Sequence, residues 1–305
     1  MTRRLFLGTL GAVLAPTVRF AGAQTAPAAT TKFQVGCMTM PYSQFPLQRA
    51  LEGIVKAGCR YVGWGGAHAE SDTVRKPSLA LDAPAAEARQ LAARCRDLGI
   101  EPAMMFSGIG IDAPDSVKGH TQRIRQATAA GIPFVVTFGK TTRGNYEGWV
   151  RNLKELGPIA RDARVQLVLK PHGGNTGTGR DCARIIADVG DPAVSICYDS
   201  GNVLDYEKVD PIPDIQACWR DVACFAIKDH RNTPKSEDCG PGLGEIDHYK
   251  LLMPLLRTGL SIPLICENIF APLVPRPSEP GGVDRLVARA REFLETVVSG
   301  LQVMT

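Results

Sequence analysis

The sequence contains no Cys-x-x-Cys pair and no zinc-knuckle spacing, although nine cysteines stand at positions 37, 59, 95, 182, 197, 218, 224, 239 and 266. Most of them sit inside apolar runs such as SICYD, ACFAI and LICEN. Cysteine packs there as a small hydrophobe. An odd count in a chain of this size argues against a disulfide framework, so buried free thiols are expected. No basic patch is present, and nothing points to nucleic acid. No apolar run is long enough to span a bilayer comfortably. The first strand-like run leads into GCMTMPYSQFP, which is not the Gly-rich phosphate fingerprint of an open doubly wound sheet.

What is there begins with MTRRLFLGTLGAVLAPTVRFAGAQ. Arg3-Arg4, an apolar stretch and Ala21-Gly22-Ala23 have the form of a signal peptide with an A-x-A cleavage pattern. The twin arginine indicates export of a folded protein. The expected organisation is a signal peptide at 1–23, a leader at 24–32, one domain at 33–299 and a tail at 300–305. The expected location is the periplasm or the exterior. Loss of Arg3, Arg4 and Arg19 takes the formal charge from +4 to +1. The remaining chain is long enough to bury one large core.

Eight apolar β-type runs follow: 33–40, 61–66, 101–108, 132–139, 165–172, 195–202, 224–230 and 263–269. Helical patterns separate them at 47–58, 83–99, 115–131, 145–163, 179–190, 245–259 and 283–299, with a weaker one at 208–221. A repeat of roughly 35 residues is that of strand–helix units. Eight such units in one domain predict an α/β fold, a single-domain (β/α)8 TIM barrel.

Active sites of such barrels lie at the C-terminal ends of the strands. The chain is polar there. Strand 2 ends in Trp64-Gly65-Gly66 with His68 beyond, and strand 5 in Lys170 and His172. Strand 6 ends in Asp199, Ser200, Gly201 and Asn202, strand 7 in Lys228, Asp229 and His230, and strand 8 in Glu267 and Asn268. Each has a plainer reading. Asp199 suits a turn, Lys228 and Asp229 a rim ion pair, and His172 and His230 hydrogen-bonded loops. Glu267 follows a buried PLIC run, where an acid is paired or functional. Trp64 beside glycines suits stacking on a sugar face. His120 and His248 fall in helical patterns and read as surface residues. The Pro-rich segment 271–282 reads as a lid, a subunit contact in a homo-oligomer, or a plain connection.

The set KPH…YDSGN…IKDHR…GPGLGEIDHYKLL…CEN resembles the xylose-isomerase-like TIM barrel superfamily over about residues 33–299. That resemblance implies one divalent ion held by Glu, Asp, His and Glu from strands 5 to 8. In this chain Asp199 and Glu267 match. The strand 5 position falls on Lys170 and the strand 7 position on Ala226, and a further family His falls on Asn202. Two site readings follow. In one, His172, with His230, joins Asp199 and Glu267 around Mn, Zn, Co or Mg. In the other, Lys170 takes the ion's place and acts as base, electrophile or Schiff-base former.

The family's chemistry implies a sugar or keto-sugar substrate and proton transfer next to its carbonyl through an enediolate. The expected catalytic residues are Glu267, Lys170, Asp199 and His172. Trp64, His68, Asn202, Lys228, His230 and Arg231 are expected to bind substrate. The alternatives are a keto-sugar β-eliminating lyase and a carbohydrate-binding barrel without turnover.

Overall fold

The computed structural model describes residues 29–303, so the signal segment lies outside the described residues. Eight parallel strands close a barrel: β1 Lys32–Met38, β2 Tyr61–Trp64, β3 Glu101–Phe106, β4 Phe134–Thr137, β5 Gln166–Leu169, β6 Val194–Tyr198, β7 Val222–Ile227 and β8 Ser261–Cys266. Each strand pairs with its sequence neighbour, and β1 closes on β8 through a register from Lys32↔Ser261 to Cys37↔Cys266. The helices are α1 Leu47–Lys56, α2 Ala85–Asp97, α3 Ser116–Ala130, α4 Tyr146–Asp162, α5 Gly179–Val189, α6 Ser200–Glu207, α7 Pro211–Cys218, α8 His248–Leu252 and α9 Pro280–Gln302. The barrel is as the sequence pattern predicts.

Boundaries differ where local chemistry overrides the pattern. Ser200 to Asn202 close the strand-type run 195–202, yet they open α6, because the Asp199 carboxylate caps it by accepting from Asn202 N–H at 2.9 Å. The pattern at 245–259 yields only α8 followed by a 3-10 turn at Met253–Leu255, since Pro254 cannot continue an α-helix. The leader is tied down at its end, where Thr31 N–H donates to Leu256 O and Lys32 opens β1. The tail begins inside α9, which runs to Gln302.

The two-residue period of each strand sorts its side chains. Met38, Met104, Val136, Val168, Cys197, Cys224, Ala226 and Ile265 fill the lumen. Their neighbours, among them Val62, Trp64, Met105, Leu167, Leu169, Tyr198, Phe225 and Cys266, point outward into the layer beneath the helices. One further step of two places Phe106, Phe138, Lys170, Asp199, Lys228 and Glu267 in the next inward layer, at the barrel mouth. All nine cysteines are buried and unpaired.

Two short antiparallel hairpins stand on the mouth: Ala67–Ala69 with Arg75–Pro77, and Asp229–Arg231 with Glu237–Cys239. The second frames the functional side of the barrel.

Candidate active site

Lys170 is the centre of the mouth. Its ammonium lies 2.6 and 2.5 Å from the two oxygens of Glu267 and 3.0 Å from Asp199 Oδ2. The lysine is 2% exposed. Its Nζ also stands over the rings of Phe106 and Phe138 at 5.6 and 5.7 Å, which form the apolar wall on the β3–β4 side. Burial opposes its charge, but Glu267 and Asp199 outweigh burial and hold its pKa above the ordinary lysine value. Lys170 is therefore an ammonium at neutral pH. That disfavours a Schiff base or a general base at this residue, since both need the free amine.

The two carboxylates are differentiated. Asp199 is fully buried, yet Lys228, Lys170 and the Asn202 N–H overcome that burial and lower its pKa. Glu267 is raised: burial dominates, Lys170 opposes it, and the nearby Asp199 charge adds to it. Neighbouring acids pushed apart in this way divide into a fixed anion and a proton carrier. Asp199 is the anion and Glu267 the carrier.

A second cation closes the network. Lys228 Nζ lies 2.6 Å from Asp238 Oδ2 and 4.0 Å from Asp199 Oδ2. Burial would lower its pKa, but Asp199, Glu267 and Asp238 together raise it. Its stem runs over Gly201, where an added Cβ would come within 2.6 Å of Lys228 Cγ. Any larger residue there would displace the lysine. Asp238 in turn accepts from His230 Nδ1 at 3.0 Å.

The remaining expected residues divide by geometry. His172 joins the mouth at its edge. Its Nδ1 donates to Gly139 O at 3.2 Å, and its ring packs on Phe138 at 4.3 Å and Tyr206 at 5.3 Å. Burial, then the Lys170 charge, lower its pKa, so it is neutral. Asn202 donates to Pro171 O at 2.7 Å and ties α6 to the β5 loop. Arg231 faces Glu237 at 2.7 Å across its hairpin.

Trp64 and His68 are placed elsewhere. Gly63 takes the lumen position on β2, packed among Ile265, Met104 and Met38, so the next residue, Trp64, must point outward. It is 1% exposed in the layer between barrel and helices, with Cys95 of α2 against it. It offers no face to a sugar. His68 is the middle residue of the first hairpin's opening strand, and its ring is buried on Phe45 O at 3.3 Å. His120 and His248 are not surface residues either. His120 bridges Ser116 O and Thr137 Oγ1 at 2.8 and 2.7 Å, and His248 is held on Ile246 O at 2.9 Å.

Asp229 does not pair with Lys228. It turns away and accepts four backbone N–H bonds, from His230 and Ile246 on Oδ1 and from Gly242 and Gly244 on Oδ2. Gly244 lies so close that a Cβ would meet Asp229 Oδ1 at 2.3 Å. This accounts for the Gly-x-Gly-Glu-Ile-Asp segment in physical terms: the glycines let the loop wrap a buried carboxylate, and Asp247 then caps α8 through Lys250 N–H.

Asp205 and Asp238 belong to the site region but were not expected from the sequence. Asp205 follows Asn202 by three residues on α6, so it shares that residue's face; Asp238 carries no comparable signal. Among the described residues, the one group of three metal-type side chains with ligand atoms within 4.8 Å of one another is Asp205, His230 and Asp238. Asp199, Glu267 and His172 form no such group. A divalent ion between Asp199 and Glu267 would meet the Lys170 ammonium at bonding distance from both acids. The residues there do not fit such an ion.

A cavity of about 610 Å³ opens at the opposite end of the barrel, around Phe134, Gln166, Ser195 and Leu260. It holds none of the paired charges described above, and the N-terminal face of a barrel is the stability face.

The profile of the xylose isomerase-like TIM barrel family matches residues 51–294. The chain belongs to that family. No curated protein matches it. Among solved structures it is similar to an L-ribulose 3-epimerase, at 16% identity and TM-score 0.66, over 89% of this chain and 96% of that one. It is similar to the IOLI protein with a bound zinc atom, at 20% identity and TM-score 0.65, over 88% and 98%. It is also similar to a xylose isomerase-like TIM barrel protein from Mycobacterium smegmatis in complex with magnesium, at 16% identity and TM-score 0.64, over 92% and 100%. At these identities the likeness is one of fold. No described helix of this family member is long and apolar enough to cross a membrane.

Proposed function

We propose that this barrel moves a proton at a carbon next to the carbonyl of a sugar or keto-sugar, with Glu267 as proton carrier and the Lys170 ammonium as the positive group. The observation that carries the reading is the contact of one buried ammonium with both Glu267 and Asp199. The ammonium stands where the family resemblance puts a divalent ion. The epimerase among the similar structures supports the class of chemistry.

In this scheme the Glu267 carboxylate takes the proton from carbon. The C–H electron pair forms the carbon–carbon double bond, and the carbonyl π pair moves onto oxygen. Lys170 and Lys228 are the cations nearest Glu267 that would stabilise that oxyanion, in a buried site where fixed charges act strongly. Return of the proton to the other carbon, with the neighbouring hydroxyl proton passing to the first oxygen as the new carbonyl forms, isomerises the sugar; protonation of the same carbon by a second donor on the opposite face, such as water, epimerises it. Loss of a group from the β-carbon gives elimination instead. Phe106, Phe138 and His172 line the less polar side. The twin-arginine segment favours an unphosphorylated sugar met outside the cytoplasm.

The test is solvent-deuterium uptake into a panel of free ketoses and keto-glycosides, read by mass spectrometry. The expected result is exchange at the carbon next to the carbonyl, lost in Glu267→Gln. Sugar binding with no exchange and no turnover on any panel member would overturn the enzymatic reading in favour of a binding barrel.

A further inference from the structure

His230 holds a position that the scheme above does not use. It is 1% exposed, at the start of the second hairpin, and has a carboxylate on each side. Asp238 Oδ1 lies 3.0 Å from Nδ1. A carboxylate only accepts, so Nδ1 carries the hydrogen. In the neutral ring Nε2 is then a lone pair. Facing it are Ser236 Oγ at 3.2 Å and Asp205 Oδ1 at 3.7 Å. The last distance is too long for a hydrogen bond. The Ser236 hydroxyl can donate to Nε2, but Asp205 receives no hydrogen from the ring, so a buried imidazole lone pair and a carboxylate converge as two ligand-type groups on one spot.

We propose that a divalent transition-metal ion, Zn²⁺ or Mn²⁺, binds between His230 Nε2 and Asp205, with the Ser236 hydroxyl beside it. Two ligand atoms on one tetrahedral ion, each about 2.0–2.2 Å from it, stand about 3.3–3.5 Å apart. The observed gap needs only a small closure. Asp238 is the outer partner: it fixes the tautomer and aims Nε2, as carboxylates do for metal-bound imidazoles. Asp238 is itself anchored by Lys228 at 2.6 Å. The nearest competing cation is Lys208, whose Nζ lies 3.4 Å from Ser236 Oγ and 3.6 Å from Asp205 Oδ1; its side chain is 57% exposed, so an incoming ion can displace it into water. Imidazole with carboxylate suits Zn²⁺ and Mn²⁺. With two or three protein ligands the ion keeps open positions for water or substrate oxygens. Lys228 spans from this site to Asp199, so the ion would adjoin the Lys170 centre without entering it. The site does not depend on the proposed reaction.

The test uses the full chain without an affinity tag, stripped with a chelator and titrated calorimetrically with Zn²⁺ or Mn²⁺ alone. The expected result is one equivalent of metal, with affinity lowered about 10- to 100-fold in both His230→Gln and Asp205→Asn and unchanged stoichiometry in Glu267→Gln. Asp205 is partly exposed, so its variant keeps the test valid even where His230→Gln fails to fold. Three results would overturn the proposal: no binding to the parent chain at millimolar metal, binding untouched by Asp205→Asn, or binding lost in Glu267→Gln and kept in Asp205→Asn. The last would place the ion in the mouth.

Discussion

Lys170 Nζ touches both oxygens of Glu267, at 2.6 and 2.5 Å, while standing 3.0 Å from Asp199. One buried cation thus serves two buried anions, and removing it strands both. Lys170→Met keeps an unbranched side chain one atom shorter and deletes the charge. It should destabilise the fold by about 3–5 kcal/mol at pH 7, the usual cost of breaking a buried pair from one side. Asp199 retains Lys228 at 4.0 Å, so Glu267 is the acid that takes up a proton in the variant. Its folded pKa then lies above the unfolded one. Such a group contributes fully below the unfolded pKa and loses its contribution as pH rises through the folded pKa. The gap between variant and parent should therefore narrow from pH 7 to pH 5. Denaturant unfolding at both pH values measures it, and a gap that stays constant or widens would refute the assignment.

The same geometry predicts what the opposite substitution does. Lys170→Glu would gather three carboxylates from β5, β6 and β8 at the lumen mouth, a hard oxygen set suited to Mn²⁺. The variant should bind one equivalent of Mn²⁺ more than the parent, and the additional Asp199→Asn change should abolish that extra equivalent. Calorimetric titration counts both. An unchanged stoichiometry would mean that the space around Lys170 is too small or too apolar for an ion.

The barrel and the core of this site were legible because both follow from a two-residue period. Val168, Cys197, Ala226 and Ile265 fill the lumen, so Lys170, Asp199, Lys228 and Glu267 must share the next layer. Trp64 was misplaced for want of the same count: Gly63 claims the inward position, and Trp64 then points to the helices. His120 and His248 lie on helix faces turned inward, which sparse apolar marking on α3 and the shortness of α8 concealed. Asp205 and Asp238 escaped for a different reason. They arrive through α6 and a hairpin, and these formed where Asp199 capping and the Asp229-centred loop redirected a chain whose composition reads as turn.

Asp229 organises that loop with four backbone N–H donors, two on each oxygen. Asp229→Asn leaves one oxygen and turns an NH₂ toward two donors that then have no acceptor. With about 1–3 kcal/mol for each buried polar group left unmade, the variant should lose about 3 kcal/mol of stability. Amide exchange at Gly242, Gly244 and Ile246 should rise well before the barrel strands respond. Urea unfolding and hydrogen exchange by mass spectrometry test the two parts separately. A global loss with no local rise at 242–246 would show that the carboxylate supports the barrel and not the loop.

His120 sets a pH dependence remote from the site. Burial lowers its pKa from 6.5 to about 4, against the opposing bond to Ser116 O, with the Arg123 charge lowering it further. The folded pKa lies below the unfolded one, so protons bind the unfolded chain first. Stability from this residue is complete above pH 6.5 and is lost as pH falls through about 4. A displacement of that size corresponds to at most about 3 kcal/mol. His120→Gln still donates and accepts toward Ser116 and Thr137 but cannot titrate. It should cost modest stability at pH 8 and flatten the fall in stability between pH 6.5 and 4. His68, His172 and His248 are shifted in the same direction, so the slope should shrink without vanishing. Chemical unfolding across that range measures it. A slope identical to the parent's would mean that His120 is protonated in the folded barrel, with Thr137 Oγ1 and Ser116 O holding an imidazolium in place of the neutral ring.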